Sequence, residues 1–302
     1  MPRETGGTRT VALPISVVAE QTGLTATTLR VWQRRYGLGA SQSSRGGHRR
    51  YSPGDISRLR AAKQLIEQGV PTAEAARIVL AAAEHGLELP APNHPTAHHL
   101  AAAALELDGP GCRAVLRGHL AGHGVDHTWQ FVLRPVLAAI GAQWSELPHG
   151  IAVEHLLSHV AAGVLGEATE GPDDAARLQA VPAVLLACVP EEQHDLPLVA
   201  LAAALSHRGV SAALLGASTP TDTVAEAVHR MRPPVVMVLA LLPELADPGV
   251  FEGLPVITTV LAAGPGWTDR PLPAGIRRVD DLSDALEAVA DAVLTAAVPA
   301  GH

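Results

Sequence analysis

Apolar residues recur at helical spacing in two short segments near the start of the chain. The first segment runs over 15–19 and ends before Gly23, a residue that suits a tight turn. In the second segment Leu29 and Trp32 are spaced to pack inward. Thr25 precedes this segment, where its hydroxyl can accept a bond from a free backbone N–H and cap the helix. The spacing predicts a helix-turn-helix.

Basic and polar residues cover the outer side of the second predicted helix and continue beyond it. We expect this helix to enter the major groove of DNA, and we expect Gly46-Gly47 to close a two-stranded wing that reaches the flanking backbone. Ser52 then caps a further helix, with Pro53 in its first turn. The residues predicted to contact DNA are Thr27, Thr28, Arg30, Arg34, Arg35, Tyr36, Arg45, Arg49, Arg50 and Tyr51.

The middle of the chain shows helical periodicity with interruptions. Gly69 and Pro71 break the helical pattern after the wing, and residues 90–99, PAPNHPTAHH, have the composition of a linker. Residues 100–170 place apolar side chains three and four positions apart in segments separated by glycines. This pattern predicts four antiparallel helices in a small bundle, one end or face of which covers another domain or a ligand.

From residue 182 onward the period changes. Continuous apolar runs alternate with amphipathic helices, and such alternation predicts a parallel α/β sheet that is buried on both faces and joined by right-handed crossovers. Ligands of such sheets bind beyond the carboxyl ends of the strands. The predicted strands are 183–190, 211–216, 234–241, 255–262 and 277–280.

Composition and charge change this picture in two ways. The 302 residues are 47% hydrophobic, and two cysteines cannot form a disulfide framework, so we expect a reducing, cytoplasmic setting with no signal peptide and no membrane span. The net charge is -8, but residues 1–60 hold ten arginines and three acids, a local +7, which leaves -15 for the remainder. A basic head on an acidic body indicates a polyanionic partner for the head.

The loop after the first predicted strand of the sheet carries the candidate cofactor chemistry. It reads PEEQHDLPL and places His194 near the strand's carboxyl end. An imidazole there can bind a metal through one nitrogen while Glu192 holds the other N–H. One histidine cannot build a closed metal site, but it can supply an axial ligand to a metal held in a macrocycle. The alternative interpretation is an ordinary polar surface histidine.

The head resembles a known family. The arrangement LRVWQRRYGL…GGHRRYSPGDISRLR is similar to that of the MerR-type regulators, winged-helix dimers that bind promoter DNA, and the similarity covers about residues 11–80. Gln33 stands where that family often has Glu, and GLGASQSSR replaces its usual Pro-containing connection.

The remainder resembles the cobalamin-binding modules of corrinoid enzymes, in which a helical bundle precedes a flavodoxin-like domain. The resemblance implies that His194, in Glu192-Gln193-His194, is the lower axial ligand of cobalt. It also implies that Ser218 and Thr219, in LGASTP, and Gly264 and Gly266, in AAGPGW, contact the cofactor. Pro197, Ala240 and Ala263 depart from that family's residues, which are Gly, Ser and Gly.

Taken together, the chain resembles the CarH/LitR class of cobalamin-dependent light-sensing repressors. That class has a Trp followed after nine residues by Glu-His, and Trp144 with Glu154-His155 keeps this spacing. The resemblance implies that these three residues cap the upper face of adenosylcobalamin, and that the protein is a tetramer on DNA in the dark and dissociates in light. Ser145 replaces a His that binds cobalt after photolysis in that class, and His149 is a candidate substitute.

The sequence therefore predicts a multidomain α and α/β regulator and leaves alternatives open. The predicted domains are a winged helix-turn-helix at 1–88, a linker at 89–98, a four-helix bundle at 99–172 and a flavodoxin-like five-stranded parallel sheet at 178–302. The expected function is repression controlled by light, without catalytic residues. The alternatives are a light-insensitive cobalamin sensor, a MerR-type regulator with another ligand, and a corrinoid-dependent enzyme. The basic head argues against the enzyme.

Overall fold

The structure of the chain is a computed structural model. It describes residues 12–44, 47–67, 70–84, 87, 89, 94–145, 147, 149–169, 183–255 and 258–297. The described residues group into two compact units, one drawn from residues 1–116 and 130–157 and the other from residues 117–129 and 158–302. Within the described ranges, every helix is too short or too polar to cross a membrane.

The first unit begins with the predicted helix-turn-helix and wing. Its core is formed by apolar side chains from the helices and from the strands β1 and β3, and Leu29, Leu59 and Tyr51 are fully buried in it. The elements are β1 (Leu13–Pro14), α1 (Ile15–Thr22), α2 (Ala26–Tyr36), β2 (Gln42–Ser43), β3 (Arg49–Tyr51), α3 (Pro53–Glu67) and α4 (Thr72–Glu84).

Local signals in the sequence place these helix boundaries. Gly23 adopts the left-handed conformation (φ 66°) that ends α1, and the Thr25 hydroxyl accepts the N–H of Thr28 at the start of α2. At the start of α3, Ser52 Oγ accepts the N–H of Asp55 while the Asp55 carboxylate accepts the N–H of Ser52. This reciprocal capping satisfies two backbone donors and fixes the start of α3 directly after the wing.

The wing differs from the expected two-stranded ribbon. β2 pairs with β3 in antiparallel fashion, as predicted, but Leu13 and Pro14 pair with the other side of β3. The sheet therefore has three strands in the order β1-β3-β2. The segment before α1 thus holds the strand that carries Arg49 and Arg50.

Four helices follow, in the segment where four are predicted. They are α5 (Pro95–Leu105), α6 (Gly109–Thr128), α7 (Arg134–Gln143) and α8 (Gly150–Thr169), and a π-helical turn at Trp129–Leu133 leads into α7. α5 begins at Pro95, so the end of the predicted linker is wrong: residues 95–98 are helical, and α5 packs on α3 and α4. Gly124 interrupts α6 with non-helical backbone angles (φ 77°, ψ 177°).

The second unit contains the predicted five-stranded parallel sheet. Its strands are β4 (Val184–Cys188), β5 (Ala212–Gly216), β6 (Val235–Leu239), β7 (Thr259–Ala263) and β8 (Arg277–Val279), in the order β5-β4-β6-β7-β8. The accompanying helices are α9 (Leu196–His207), α10 (Thr221–Met231) and α11 (Leu282–Ala297). This is the doubly wound order in which the topology reverses between β4 and β6, and such reversals create a crevice at the strands' carboxyl ends.

Candidate functional site

The outer side of α2 forms the candidate DNA surface. Thr27, Arg30, Arg34 and Arg35 are exposed along it. The inner side is anchored by Leu29 and Trp32, which are buried in the core of the first unit. Exposed guanidinium groups on a rigidly packed helix suit both phosphates and guanine edges.

Two of the predicted DNA contacts on α2 have additional local roles. The Thr28 hydroxyl lies 2.9 Å from that of Thr25, so it belongs to the helix cap. Tyr36 is half-buried against the core, and the Arg35 guanidinium stacks 5.7 Å from the centre of its ring. This cation–π contact holds Arg35 close to the end of the helix.

The wing places Arg49 at the surface and Arg50 partly buried in β3. Arg45 falls outside the described residues. Tyr51, however, is fully buried, and its Oη has no hydrogen-bond partner among the described residues. Burial raises the pKa of its hydroxyl. The predicted phosphate contact of Tyr51 is therefore wrong, because the last residue of β3 turns into the core while Arg49 remains at the surface.

A carboxylate that was not predicted as a site residue ties the wing to α3. Asp55 is 1% exposed and accepts bonds from the N–H and hydroxyl of Ser41, before β2, and from the N–H of Ser52, after β3. Arg58 donates to its other oxygen at 2.7 Å. Burial alone raises the pKa of Asp55, but the bonds from Ser41 and Ser52, together with that from Arg58, outweigh it and lower that pKa. The signal in the sequence was the Ser-x-x-Asp capping pattern.

A second buried carboxylate lies at the crevice of the parallel sheet. Glu192, in the loop after β4, is fully buried. Its Oε2 accepts the N–H groups of Leu241 (2.9 Å) and Leu242 (3.2 Å), which follow β6. Glu192 therefore joins the two strands between which the topology reverses. Burial alone raises the pKa of Glu192, but the hydrogen bonds, first that from His194 and then that from the Leu241 N–H, lower it overall.

The other oxygen of Glu192 orients His194. Oε1 lies 2.5 Å from His194 Nδ1 and also accepts the backbone N–H of His194 at 3.1 Å. Because an ionised carboxylate only accepts, Nδ1 carries the proton and Nε2 carries the lone pair. The His194 side chain is 53% exposed, so Nε2 is open to an approaching metal. This is the hydrogen-bonding arrangement that a carboxylate and a metal-bound histidine usually have, but a metal bond of His194 is still a prediction.

Ser218 and Thr219 lie beside this loop. Ser218 has a left-handed backbone (φ 48°), and its N–H donates to the carbonyl oxygen of Glu192 at 2.7 Å. Its hydroxyl accepts the N–H of Glu191, and Thr219 is 4% exposed with its hydroxyl bonded to the carbonyl of Gly216. Ser218 therefore braces the loop that carries His194, whereas Thr219 holds the end of β5, and a cofactor contact by either is still a prediction.

Gly264 and Gly266 are required by the packing of the sheet itself. A Cβ at Gly264 would lie 2.5 Å from the carbonyl oxygen of Ala240, and one at Gly266 would lie 2.7 Å from the same atom. The Gly266 N–H donates to that oxygen at 3.0 Å. The loop after β7 thus rests directly on the end of β6, and the two glycines do not need a ligand to explain them.

The three residues predicted to cap the cofactor occur together in the first unit. Trp144 is the residue after α7 and is 51% exposed. Glu154 and His155 lie in α8, with Glu154 Oε2 2.8 Å from His155 Nδ1. A Cβ at Gly150 would lie within the backbone of Trp144, so only glycine allows the tight return from α7 into α8. Trp144 and the Glu154–His155 pair thus belong to the same helix–turn–helix segment of the first unit, and a cofactor contact by any of them is still a prediction.

Three kinds of known protein are similar to this chain. Residues 13–82 match the MerR HTH family regulatory protein model. The chain is 30% identical to the HTH-type transcriptional repressor CarH of Myxococcus xanthus over 233 residues, 74% of this chain and 76% of CarH. It is 29% identical to the repressor CarA of the same organism, over 75% of each chain. A monomethylamine corrinoid protein from Methanosarcina barkeri is similar in structure, with a TM-score of 0.49 and 15% identity over 64% of this chain and 95% of that one.

Proposed function

The chain belongs to the family of MerR-type HTH transcriptional regulators that includes the CarH repressor, and from this premise we propose that it is a repressor that senses light through adenosylcobalamin. As a member of that family it is a DNA-binding regulator and not an enzyme. The proposal concerns its effector, its trigger and its change of assembly.

The orientation of His194 carries the proposal for the cofactor. A buried carboxylate fixes the imidazole with Nε2 outward, at the crevice of a doubly wound sheet. Burial of the charged Glu192 costs free energy, and an ordinary surface histidine does not need such a partner. It fits one axial bond to a metal already held in a macrocycle, as cobalt is held in a corrin, and Leu242 offers a partly exposed apolar surface nearby.

Three residues of the first unit have side chains suited to the adenosyl group of this cofactor. Trp144 offers a flat apolar surface, and Glu154 with His155 offers hydrogen bonds of the kind that a ribose and an adenine accept and donate. When bound, adenosylcobalamin supplies a cobalt–carbon bond that visible light breaks. The protein's part is to hold the adenosyl group against Trp144 in the dark and to release it after illumination.

A change of assembly completes the proposal. We expect a tetramer on DNA in the dark and smaller species in light. A tetramer presents several copies of α2 and the wing to one operator, so dissociation removes the gain in affinity that comes from multivalent binding. Each lost contact of an exposed arginine with a phosphate also lowers the salt dependence of binding.

One residue favours a second candidate function. Ser145 follows Trp144, and a hydroxyl is a poor ligand for cobalt compared with an imidazole. With Ser145 in this place, the protein could bind cobalamin in the same site without a light-driven change of assembly. His149 follows a few residues later with a left-handed backbone (φ 55°). It is the candidate to bind cobalt in place of the imidazole that Ser145 lacks.

The experiment that tests these functions uses the full-length protein, mixed in the dark with adenosylcobalamin and freed of excess ligand. Absorption spectra and size-exclusion chromatography are recorded before and after green light. Retained colour, a spectral change and a smaller particle support the light-sensing repressor. Retained colour with an unchanged particle size supports the light-insensitive sensor, and a colourless protein contradicts cobalamin binding.

A matched variant tests the ligand itself. His194→Ala removes the proposed axial bond, so we expect loss of the spectrum of histidine-ligated cobalamin, while His229→Ala, an exposed histidine on α10, leaves it unchanged. An unaltered spectrum in His194→Ala contradicts the assignment.

A further inference from the structure

Three histidines form a stack on α6. His119 and His123 are four residues apart on one side of the first part of α6, and His127 follows the interruption at Gly124. The rings of His119 and His123 are 4.3 Å apart and nearly parallel, at 11°. The His127 ring lies 5.3 Å from that of His119 and 5.0 Å from that of His123. His119 is buried, whereas His123 is exposed.

The hydrogen bonds of His119 fix which of its nitrogens carries the proton. The hydroxyl of Thr128 donates to the carbonyl oxygen of Gly124 at 2.7 Å, so its proton is used there. The same hydroxyl lies 3.0 Å from His119 Nδ1 and must accept from it. Nδ1 is therefore protonated, and Nε2 of His119 carries the lone pair.

His123 has the same tautomer for a similar reason. Its Nδ1 lies 3.3 Å from the carbonyl oxygen of His119, and a carbonyl oxygen only accepts. Nδ1 of His123 is therefore the donor, and Nε2 carries the lone pair. Both histidines thus show the arrangement usual for metal-bound imidazoles, in which one nitrogen is held by a hydrogen bond and the other is a ligand.

We propose that His119 and His123 bind a divalent transition-metal ion through their Nε2 atoms. Their ligand atoms lie within 4.8 Å of one another. Metal–nitrogen bonds of about 2.0–2.1 Å require a closer approach of the two nitrogens, which a rotation of the exposed His123 ring supplies. His127 stacks on both rings and limits the other positions that they can take.

The ligand set defines the class of ion. Imidazole nitrogen suits zinc, copper and nickel, and suits magnesium and calcium poorly. Two protein ligands leave positions for water, so the ion exchanges with solvent and is not required for folding. The proposal does not depend on cobalamin binding, because these residues lie on α6 and do not include His194.

The test is a calorimetric titration of Zn²⁺ into the full-length protein without an affinity tag. We expect one tight zinc equivalent per chain in the parent and in His229→Ala, which removes an exposed histidine elsewhere in the second unit. His123→Ala should weaken this equivalent at least about tenfold, and it is suitable because the side chain is exposed.

A second variant tests the role of the tautomer. Thr128→Val keeps the shape of the side chain but removes the acceptor for His119 Nδ1, so we expect zinc affinity to fall about 10- to 100-fold. The proposal is overturned if His123→Ala and Thr128→Val bind zinc as the parent does. It is also overturned if the tight equivalent is lost in His194→Ala, because the ion then occupies the other site.

Discussion

Two buried carboxylates, one in each unit, are stabilised by similar hydrogen bonds but have different roles. Asp55 is 1% exposed and Glu192 is fully buried, and each joins backbone segments that are distant in sequence. In both, burial opposes ionisation and the hydrogen bonds outweigh it, so both pKa values are lowered. The partners differ. Asp55 is paired with the permanently charged Arg58, whereas Glu192 is paired with His194, whose far nitrogen faces solvent.

The difference separates a structural carboxylate from one that orients a ligand. The partners described for Asp55 are Ser41, Ser52 and Arg58, which belong to the wing and to α3, so its interactions only hold these elements together. One interaction of Glu192 continues to an imidazole that is 53% exposed and has a defined tautomer. We therefore expect loss of Asp55 to affect stability most, and loss of Glu192 to affect ligand binding most.

The largest expected effect is that of Asp55→Ala. The variant leaves Arg58, whose side chain is only 15% exposed, without this partner. It also removes the acceptor of the N–H groups of Ser41 and Ser52 and leaves the Ser41 hydroxyl only its 3.5 Å bond to Ser52 Oγ. Breaking a buried pair in this way costs about 3–5 kcal/mol, so we expect a corresponding loss in the free energy of unfolding, measured by urea denaturation. DNA affinity should fall as well, since the wing loses its attachment to α3.

The control for this prediction is an exposed pair in the same unit. Glu74 and Arg77 form an ion pair on the surface of α4, and such pairs contribute less than about 1 kcal/mol to the free energy of unfolding. Glu74→Ala should therefore leave the unfolding midpoint almost unchanged. If both variants lost equally little stability, the closed network around Asp55 would not stabilise the fold as argued.

A third buried titratable group, without partners, sharpens the comparison. His98 in α5 is 4% exposed, and neither ring nitrogen has a hydrogen-bond partner in the described part of the chain. Burial, and then the charges of Arg58 and His99, lower its pKa from 6.5 to about 4. Between those pH values His98 binds a proton in the unfolded chain but not in the folded chain. The contribution of neutral His98 to the free energy of unfolding is therefore fully present above pH 6.5 and is lost as the pH falls towards 4.

The expected size of this loss is roughly 3 kcal/mol, at about 1.4 kcal/mol for each unit of pKa. His98→Leu should remove the contribution of this group to the pH dependence between 6.5 and 4. It should also raise the melting temperature at neutral pH, because it replaces two unsatisfied nitrogens with an apolar side chain. His229→Leu, at an exposed position of α10, is the control. An unchanged acid profile in His98→Leu would show that this imidazole is solvated in the folded state.

Much of the fold could be predicted, because its signals are local. The buried parallel strands are continuous apolar runs, so 183–190 and 234–241 were found within a few residues of β4 and β6. Thr25 and Ser52 marked helix starts because a capping residue acts on the next three positions. Glu192 and His194 are two positions apart, so their pairing was also visible in the sequence.

The features that sequence reasoning missed depend on distant contacts or on ambiguous residues. The direction of Tyr51 depends on the pairing of β3 with Leu13 and Pro14, and a strand of three residues is too short to show an alternation. Pro95 was assigned to a linker, although proline in the first turn is equally compatible with a helix. The bonds from the backbone N–H groups of Leu241 and Leu242 to Glu192 could not be predicted, because a backbone N–H is present whatever the side chain is.

The smallest of these effects, and the most specific, is expected for Glu192→Gln. A glutamine has one acceptor oxygen, so its NH₂ group must face either the N–H groups of Leu241 and Leu242 or Nδ1 of His194. In the second arrangement Nδ1 becomes the acceptor and the proton moves to Nε2, which can then no longer bind a metal. In the first, two donors oppose the amide and displace the loop.

Either arrangement lowers the affinity for adenosylcobalamin by about 10- to 100-fold, the usual effect of losing a partner that orients a metal-bound histidine. Glu191→Gln is the matched control, because it makes the same change of charge at the neighbouring exposed position. The measurements are a spectroscopic titration with the cofactor and the nitrogen chemical shifts of His194, which report the tautomer. Equal affinities for the two variants would mean that Glu192, like Asp55, serves only the fold.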